Sequence, residues 1–254
     1  MTARAVGAAA AAGERRPAGG LAILVDPVRT TPDRAERLAE RAGGEGVGAL
    51  LVGNSFGGVD GCAEIARALR RGARGAVRVL LFPATASQLV PDVDAVLLLS
   101  LVSGRNPQYL IEEHVRAVPF FNRHPEIEVI STAYCLIDGG RVTSVESVSQ
   151  TRPLPADKPE ILAAHLQAAS LIGMRAAYLE AGSGAGRPVH PTLVRAAREV
   201  TTGPLFVGGG MRHPDAVRAA RDAGADYVVV GSRFEGDEED LAGAVRELAV
   251  AARS

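Results

Sequence analysis

Gly173-Met174-Arg175-Ala176-Ala177-Tyr178-Leu179-Glu180-Ala181-Gly182-Ser183-Gly184-Ala185 reads as one complete unit of structure. Gly173 stops the amphipathic stretch before it. Ala176 to Glu180 forms a short apolar strand ending in a carboxylate, and Gly182-Ser183-Gly184 breaks into a tight, flexible turn. The same punctuation returns at Gly46-Val47-Gly48-Ala49, whose strand ends in Gly53-Asn54-Ser55, and at Gly224-Ala225-Asp226-Tyr227, whose strand ends in Gly231-Ser232. A helix stop, an apolar strand and a glycine-bearing turn, repeated along the chain, predict alternating strands and helices.

Working outward, the candidate strands are Leu21–Asp26, Ala49–Gly53, Val77–Phe82, Ala95–Leu101, Glu128–Ile137, Ala176–Glu180, Leu205–Gly208 and Tyr227–Gly231. Continuous apolar runs of this length fit strands covered on both faces, as in a parallel sheet. Amphipathic stretches separate them: Asp33 to Arg41 with Leu38 and Ala42 on one side, Asp215 to Ala223, and Glu239 to Ala251. A further helix has Asp157 as N-cap with Glu160 three residues on, Pro159 in its first turn, a stripe of Ile161, Leu162, Leu166 and Ala169, and Gly173 as its stop. Eight such strands predict an α/β fold, a (β/α)8 barrel with its sites at the C-terminal strand ends. The rival is a doubly wound open sheet, but Asp26-Pro27-Val28 stands where its glycine fingerprint belongs. Gly139-Gly140, between Ala133–Ile137 and Val142–Val148, reads as the turn of a protruding hairpin.

At 254 residues the chain suits one large domain or two small ones. The alternation assigns 20–254 to a single domain, with residues 1–19 a disordered tail. The alanine run after Arg4 lacks Leu, Ile and Phe, and Glu14-Arg15-Arg16 follows at once, which is unlike a cleaved signal. Net charge is −1, with no basic excess to neutralise a nucleic-acid backbone, so nucleic acid is excluded as a partner. Cys62 and Cys135 show no metal-ligand spacing, which points to a reduced, cytoplasmic protein. Apolar runs such as Ala95 to Val102 are too short to span a bilayer.

The chemistry gathers at strand ends. Gly182-Ser183-Gly184, Gly208-Gly209-Gly210 and Gly231-Ser232 close the last three strands, where barrels build phosphate sites from backbone N–H groups; each also reads as an ordinary tight turn. Asp26 ends the first strand, as a Mg2+ ligand or as the acceptor of a loop hydrogen bond, and Ser55 offers a second oxygen. Glu180 is the candidate general base, with a structural ion pair as the alternative. Asp237-Glu238-Glu239-Asp240 resembles the acidic motifs that hold metal diphosphate but fits a helix N-terminus better. The five histidines lack zinc spacing. Lys158, the only lysine, precedes a helix rather than ending a strand, which argues against a Schiff-base aldolase.

From Ala22 to Ser232 the chain resembles the geranylgeranylglyceryl phosphate synthase family. The likeness rests on Asp26-Pro27, Gly53-Asn54-Ser55, Ser100 to Leu110, Ser147 to Glu160, Tyr178 to Ala185 and Gly208-Gly209-Gly210. It implies a modified TIM barrel and a Mg2+-dependent prenyltransferase. The implied reaction joins the C3 hydroxyl of sn-glycerol 1-phosphate to geranylgeranyl diphosphate by an ether bond, releasing diphosphate. The family's metal positions fall on Asp26 and Ser55. Its glycerol-phosphate site falls on Tyr178, Leu179, Glu180, Ala181, Gly182, Ser183, Gly184, Gly209, Gly210, Gly231 and Ser232. Glu180 takes the hydroxyl proton. An apolar groove along the barrel top holds the prenyl tail, with Arg29 assisting at the leaving group. The resemblance also implies a homo-oligomer, with transient membrane contact for a lipid product. Asn54, Gln150 and Ser232 depart from the family pattern. The alternatives are a heptaprenyl donor or another phosphorylated acceptor on the same fold, a phosphosugar isomerase or lyase barrel, and a non-catalytic phosphate-binding barrel.

Overall fold

A computed structural model describes residues 19–235 and 241–253, and its eight strands close into one parallel barrel in chain order. They are β1 (Gly20–Val25), β2 (Ala49–Val52), β3 (Arg78–Leu81), β4 (Ala95–Leu101), β5 (Glu128–Leu136), β6 (Ala176–Glu180), β7 (Leu205–Gly208) and β8 (Tyr227–Val230). Every run expected to be a strand is one. The open-sheet alternative falls because β8 pairs back onto β1, Gly20 opposite Tyr227 and Ile23 opposite Val230.

Helices α1 (Pro32–Glu45), α2 (Val59–Ala73), α3 (Glu113–Arg123), α4 (Ser144–Ser149), α5 (Pro159–Leu171), α6 (Pro191–Val200), α7 (Pro214–Asp222) and α8 (Leu241–Ala251) accompany the strands. On α1 the buried side chains are Ala35, Leu38, Ala39 and Ala42, the i, i+3, i+4, i+7 face that packs on the barrel. The regular alternation fails once. Between β3 and β4 there is only a 3-10 turn, Ala86–Gln88, closed by reciprocal hydrogen bonds between Thr85 and Gln88. Pro83 and Pro91 bracket that segment and leave too few residues for a stable helix. This is the modification to the barrel.

Side chains alternate along each strand between the helices outside and the barrel interior. On β6, Leu179 faces the outer core while Tyr178 faces the interior. An aromatic column runs down that interior. Phe82 and Tyr134 lie 4.8 and 5.3 Å from Tyr178, Tyr178 stacks 6.0 Å from Phe206, and Phe206 stacks 4.6 Å from Tyr227. It plugs the barrel between its two ends. A largely buried pair, Arg198 on α6 and Asp226 before β8, meets at 2.8 Å, and Asp226 also accepts from the Leu205 N–H at 2.8 Å. That contact fixes β7 and β8, whose far ends carry two of the glycine turns.

Three expectations need correction. No hairpin surrounds Gly139-Gly140: β5 ends at Leu136, and residues 144–149 are α4. Thr143 caps that helix by accepting from the Glu146 N–H at 3.2 Å, and Val142, Val145 and Val148 recur every three residues, a helical period. The cap of α5 is Lys158, without a side-chain bond, and Asp157 lies outside it; Pro159 at the first helical position sets the start. Ile161 is exposed, so the packed stripe of α5 is Leu162, Leu166 and Ala169. Residues 1–18 and Asp237 to Asp240, which carried the tail and acidic-run readings, lie outside the described residues.

Candidate active site

β6 delivers Glu180 to the C-terminal mouth with its side chain inward, 7% exposed. The Gly182 N–H donates to Oε1 at 2.6 Å. Tyr178 lies two residues back on the same face. Its hydroxyl is close enough to favour the ionised carboxylate, yet finds no partner of full hydrogen-bond geometry. Burial pushes the Glu180 pKa up to about 7, opposed by the Gly182 N–H and the Tyr178 hydroxyl. A carboxylate poised near neutral pH is suited to accept a proton.

The turn after β7 is built around this carboxylate. A Cβ on Gly208 would lie 2.8 Å from Glu180 Oε2, and one on Gly209 would lie 2.5 Å from Oε1. Gly209 also has φ +83°, a conformation that costs any side chain energy. The glycines therefore make room for the carboxylate. The N–H groups of Ser183, Gly184, Gly209 and Gly210 find no acceptor among the described residues. Ser183 is exposed and the three glycines are half-buried, and open donors on a cavity wall suit an anion.

A cavity of about 310 Å³ joins most of the residues singled out in the sequence: Asp26, Ser55, Tyr178, Glu180, Ser183, Gly184, Gly209, Gly210, Gly231 and Ser232. Three are not on its wall. Leu179 packs outward, Ala181 is buried with its N–H on the Gly208 carbonyl, and the Gly182 N–H is engaged by Glu180. Period-two alternation along β6 gives the reason for Leu179.

Asp26 and Ser55 line this mouth from the loops after the neighbouring strands β1 and β2. Asp26 Oδ1 is already used, accepting from the Val28 N–H at 2.8 Å and from Asn54 Nδ2 at 3.1 Å. Its Oδ2 has only a 3.8 Å approach from Arg29, and Ser55 makes no hydrogen bond among the described residues. So the loop reading of Asp26 holds for one oxygen, and the other is left open. No group of three or more His, Cys, Asp or Glu side chains is gathered among the described residues. Two hard oxygen donors fit Mg2+, which takes few protein ligands and completes its shell with water and phosphate. Asn54 has a structural reason to be there. Buried Gln88 holds its Oδ1 at 3.0 Å, aiming Nδ2 at Asp26. The link was invisible in the sequence because Gln88 lies on the turn that replaces a helix. Arg29 is held 2.6 Å from Glu235, which also lines the cavity and carried no sequence signal.

Beyond Phe82 and Tyr134 the mouth continues as a narrow apolar groove. Leu99, Leu101, Tyr109, Val145 and Val148 line it, and it shares Asn54, Ser55, Phe82, Tyr134 and Val145 with the polar cavity. Tyr109 sits on a π-helical turn, Gln108–Glu112, a local widening found often at functional sites. One mouth thus presents open N–H donors and a base on one side, hard oxygens in the middle and an apolar channel on the other.

The model of the PcrB family matches residues 17–249. This chain belongs to the PcrB family. Among curated relatives, the geranylgeranylglyceryl phosphate synthase of Spirosoma linguale is 38% identical over 230 residues, covering 89% of this chain and 91% of its own. That of Korarchaeum cryptofilum is 37% identical, with 92% and 94% covered. The crystal structure of (S)-3-O-geranylgeranylglyceryl phosphate synthase from Thermoplasma acidophilum, in complex with its substrate sn-glycerol-1-phosphate, is 28% identical with a TM-score of 0.84, covering 92% of this chain and 94% of that one. Thiamine phosphate pyrophosphorylase from Pyrococcus furiosus, 17% identical at a TM-score of 0.62, shares the fold alone. In this PcrB family member the glycine-rich strand ends and the apolar groove meet at one mouth.

Proposed function

We propose that this PcrB family member is a prenyltransferase that forms the ether bond between the C3 hydroxyl of sn-glycerol 1-phosphate and geranylgeranyl diphosphate. The observation that carries the reading is a buried carboxylate with a pKa raised to about 7, flanked by open N–H donors and continuous with an apolar groove. Free amides at Ser183, Gly184, Gly209 and Gly210, with the Gly231-Ser232 turn, hold the acceptor's phosphate. Glu180 accepts the proton of its hydroxyl as that oxygen bonds to the first carbon of the prenyl chain. The carbon–oxygen bond to diphosphate breaks, and the electron pair leaves with diphosphate. The unpartnered Tyr178 hydroxyl beside Glu180 supplies a polar contact at the reacting end. The groove from Phe82 to Val148 holds the tail and excludes water from the allylic cation; each buried methylene contributes about 0.8 kcal/mol.

Asp26 and Ser55 would hold Mg2+, which when bound neutralises the charge on departing diphosphate. Arg29 lies at the same rim. An isomerase or lyase is disfavoured because Lys158 precedes α5 rather than ending a strand and does not line the mouth. We place the protein in a reducing, cytoplasmic compartment, supported by Cys62 and Cys135, both buried and unpaired. Exposed Ile111, Val115 and Val118, one face of the α3 region, support a homo-oligomer in which a second copy covers them. Release of a lipid product brings transient membrane contact, although no described helix is long and apolar enough to cross a bilayer.

The test is incubation of the purified chain with sn-glycerol 1-phosphate and prenyl diphosphates from geranyl to heptaprenyl, with products identified by mass spectrometry. The expected product is geranylgeranylglyceryl phosphate, lost in EDTA and restored by Mg2+. Absence of any ether product with every donor rejects the reading.

A further inference from the structure

A larger cavity, about 840 Å³, opens at the opposite, N-terminal end of the barrel. The aromatic column from Tyr178 through Phe206 to Tyr227 separates it from Glu180. Its origin is in the sequence. Barrel interiors are normally filled by bulky branched side chains, but β2 and β6, on opposite sides of the ring, begin with Ala49 and Ala176. The volume lies within the range of small-molecule sites.

One hydroxyl on its wall has no partner among the described residues. Tyr227 is 9% exposed, and its hydroxyl makes no hydrogen bond among the described residues. It lines the cavity together with Arg78 and Glu128. Arg78 and Glu128 neutralise one another at 2.6 Å, but exposed Arg175 has no carboxylate among the described residues and spends one nitrogen on the Val129 carbonyl. The cavity therefore has an exposed arginine without a carboxylate partner at its open rim, one idle hydroxyl and an aromatic and aliphatic floor. A hydroxyl without a protein partner is satisfied by water or by a ligand.

We propose that this N-terminal cavity is a second ligand site, for a small amphiphile bearing one anionic group on an apolar body. Arg175 at the rim takes the anion, the Tyr227 hydroxyl donates to its polar edge, and the apolar body lies against the stacked Phe206 and Tyr227 rings. Neither substrate of the transfer reaction can reach it through the plugged barrel, so the site is independent of the reading given above.

Anilinonaphthalene sulfonate, a fluorescent amphiphile with one negative charge, is a suitable probe. It is titrated into the full chain with saturating sn-glycerol 1-phosphate and geranylgeranyl diphosphate, so that the C-terminal mouth is filled. One class of site is expected to persist. Arg175→Glu should weaken it by about tenfold or more, the scale of one lost charge-assisted hydrogen bond, and Tyr227→Phe by a smaller factor. Circular dichroism and prenyl transfer report that both variants are folded. A crystal soaked with the probe should show it beside Arg175. Loss of all probe binding when the substrates are present, or wild-type affinity in both variants, overturns the assignment. Density for the probe only in the apolar groove at the other end overturns it equally.

Discussion

The two sides of the C-terminal mouth are made by different means. The acceptor side, from β6 to β8, is backbone: glycine turns at Gly182, Gly209 and Gly231 with one carboxylate, most of it within short runs of sequence. The donor side is side chain: Phe82 after β3, Leu99 and Leu101 on β4, Tyr109 on the π-helical turn and Val145 on α4. A backbone site for a compact, charged head tolerates little substitution, because a Cβ on Gly209 would strike the carboxylate it cradles. An apolar wall for a flexible chain can be rebuilt in many ways, since its contribution scales with area rather than direction. Changes on the acceptor side should therefore cost turnover, and changes on the donor side should cost affinity for one substrate.

The largest expected effect is at the base. Glu180→Gln keeps the shape and the Gly182 hydrogen bond acceptor but removes the proton acceptor. Turnover should fall between about a hundredfold and ten-thousandfold. Binding of sn-glycerol 1-phosphate, measured by calorimetry, should change little. Full turnover in the variant would place the base elsewhere and erase the contrast between the two sides.

The pH profile tests the same group without mutation. The base acts ionised, and burial has raised its pKa from 4.5 to about 7. Activity is therefore present above that value and lost as pH falls through it. The plot of log kcat/KM should rise with a slope of about one on the acid side and level off near neutrality. An acid limb near 4.5 would mean that the carboxylate is not desolvated in the free enzyme.

The same division explains what could be read from the sequence. The eight strands are local apolar runs, and all became barrel strands. Glu180 and its glycine turns were legible because strand, carboxylate and turn are consecutive. The apolar wall was not, because Phe82, Leu101, Tyr109 and Val145 are brought together only by barrel closure and by the turn that replaces a helix after β3. The hairpin reading around Gly139-Gly140 failed for a related reason. Two glycines are a strong turn signal, but the Thr143 cap and the valine spacing after them carried the helical period that won. Leu179 was grouped with its neighbours by motif, while the pleat turns it to the other face of the sheet.

On the donor side, Val145→Asp sets a carboxylate into the groove that the prenyl chain must fill. The KM for geranylgeranyl diphosphate should rise by about tenfold or more, because the charge must be desolvated or the chain displaced. Affinity for sn-glycerol 1-phosphate should stay at the wild-type value in the same calorimetric titration. Equal losses for both substrates would show that α4 supports the whole mouth and not one half of it.

The smallest effect concerns the end of that helix. Gln150 closes α4 with φ +53°, in the left-handed region, and is exposed with no side-chain hydrogen bond to the protein. The conformation costs an ordinary residue about 1–2 kcal/mol, less for asparagine and least for glycine. Gln150→Gly should recover about 0.5–1 kcal/mol, raising Tm by about 1–4 °C in a domain of this size, and Gln150→Asn should give part of that gain. Thermal unfolding followed by circular dichroism measures both. Because Val145 and Val148 ride on α4, a cap that serves only to end the helix should leave the donor KM unchanged. A gain in Tm accompanied by a higher donor KM would mean that the strain at Gln150 is what holds the valine wall against the groove.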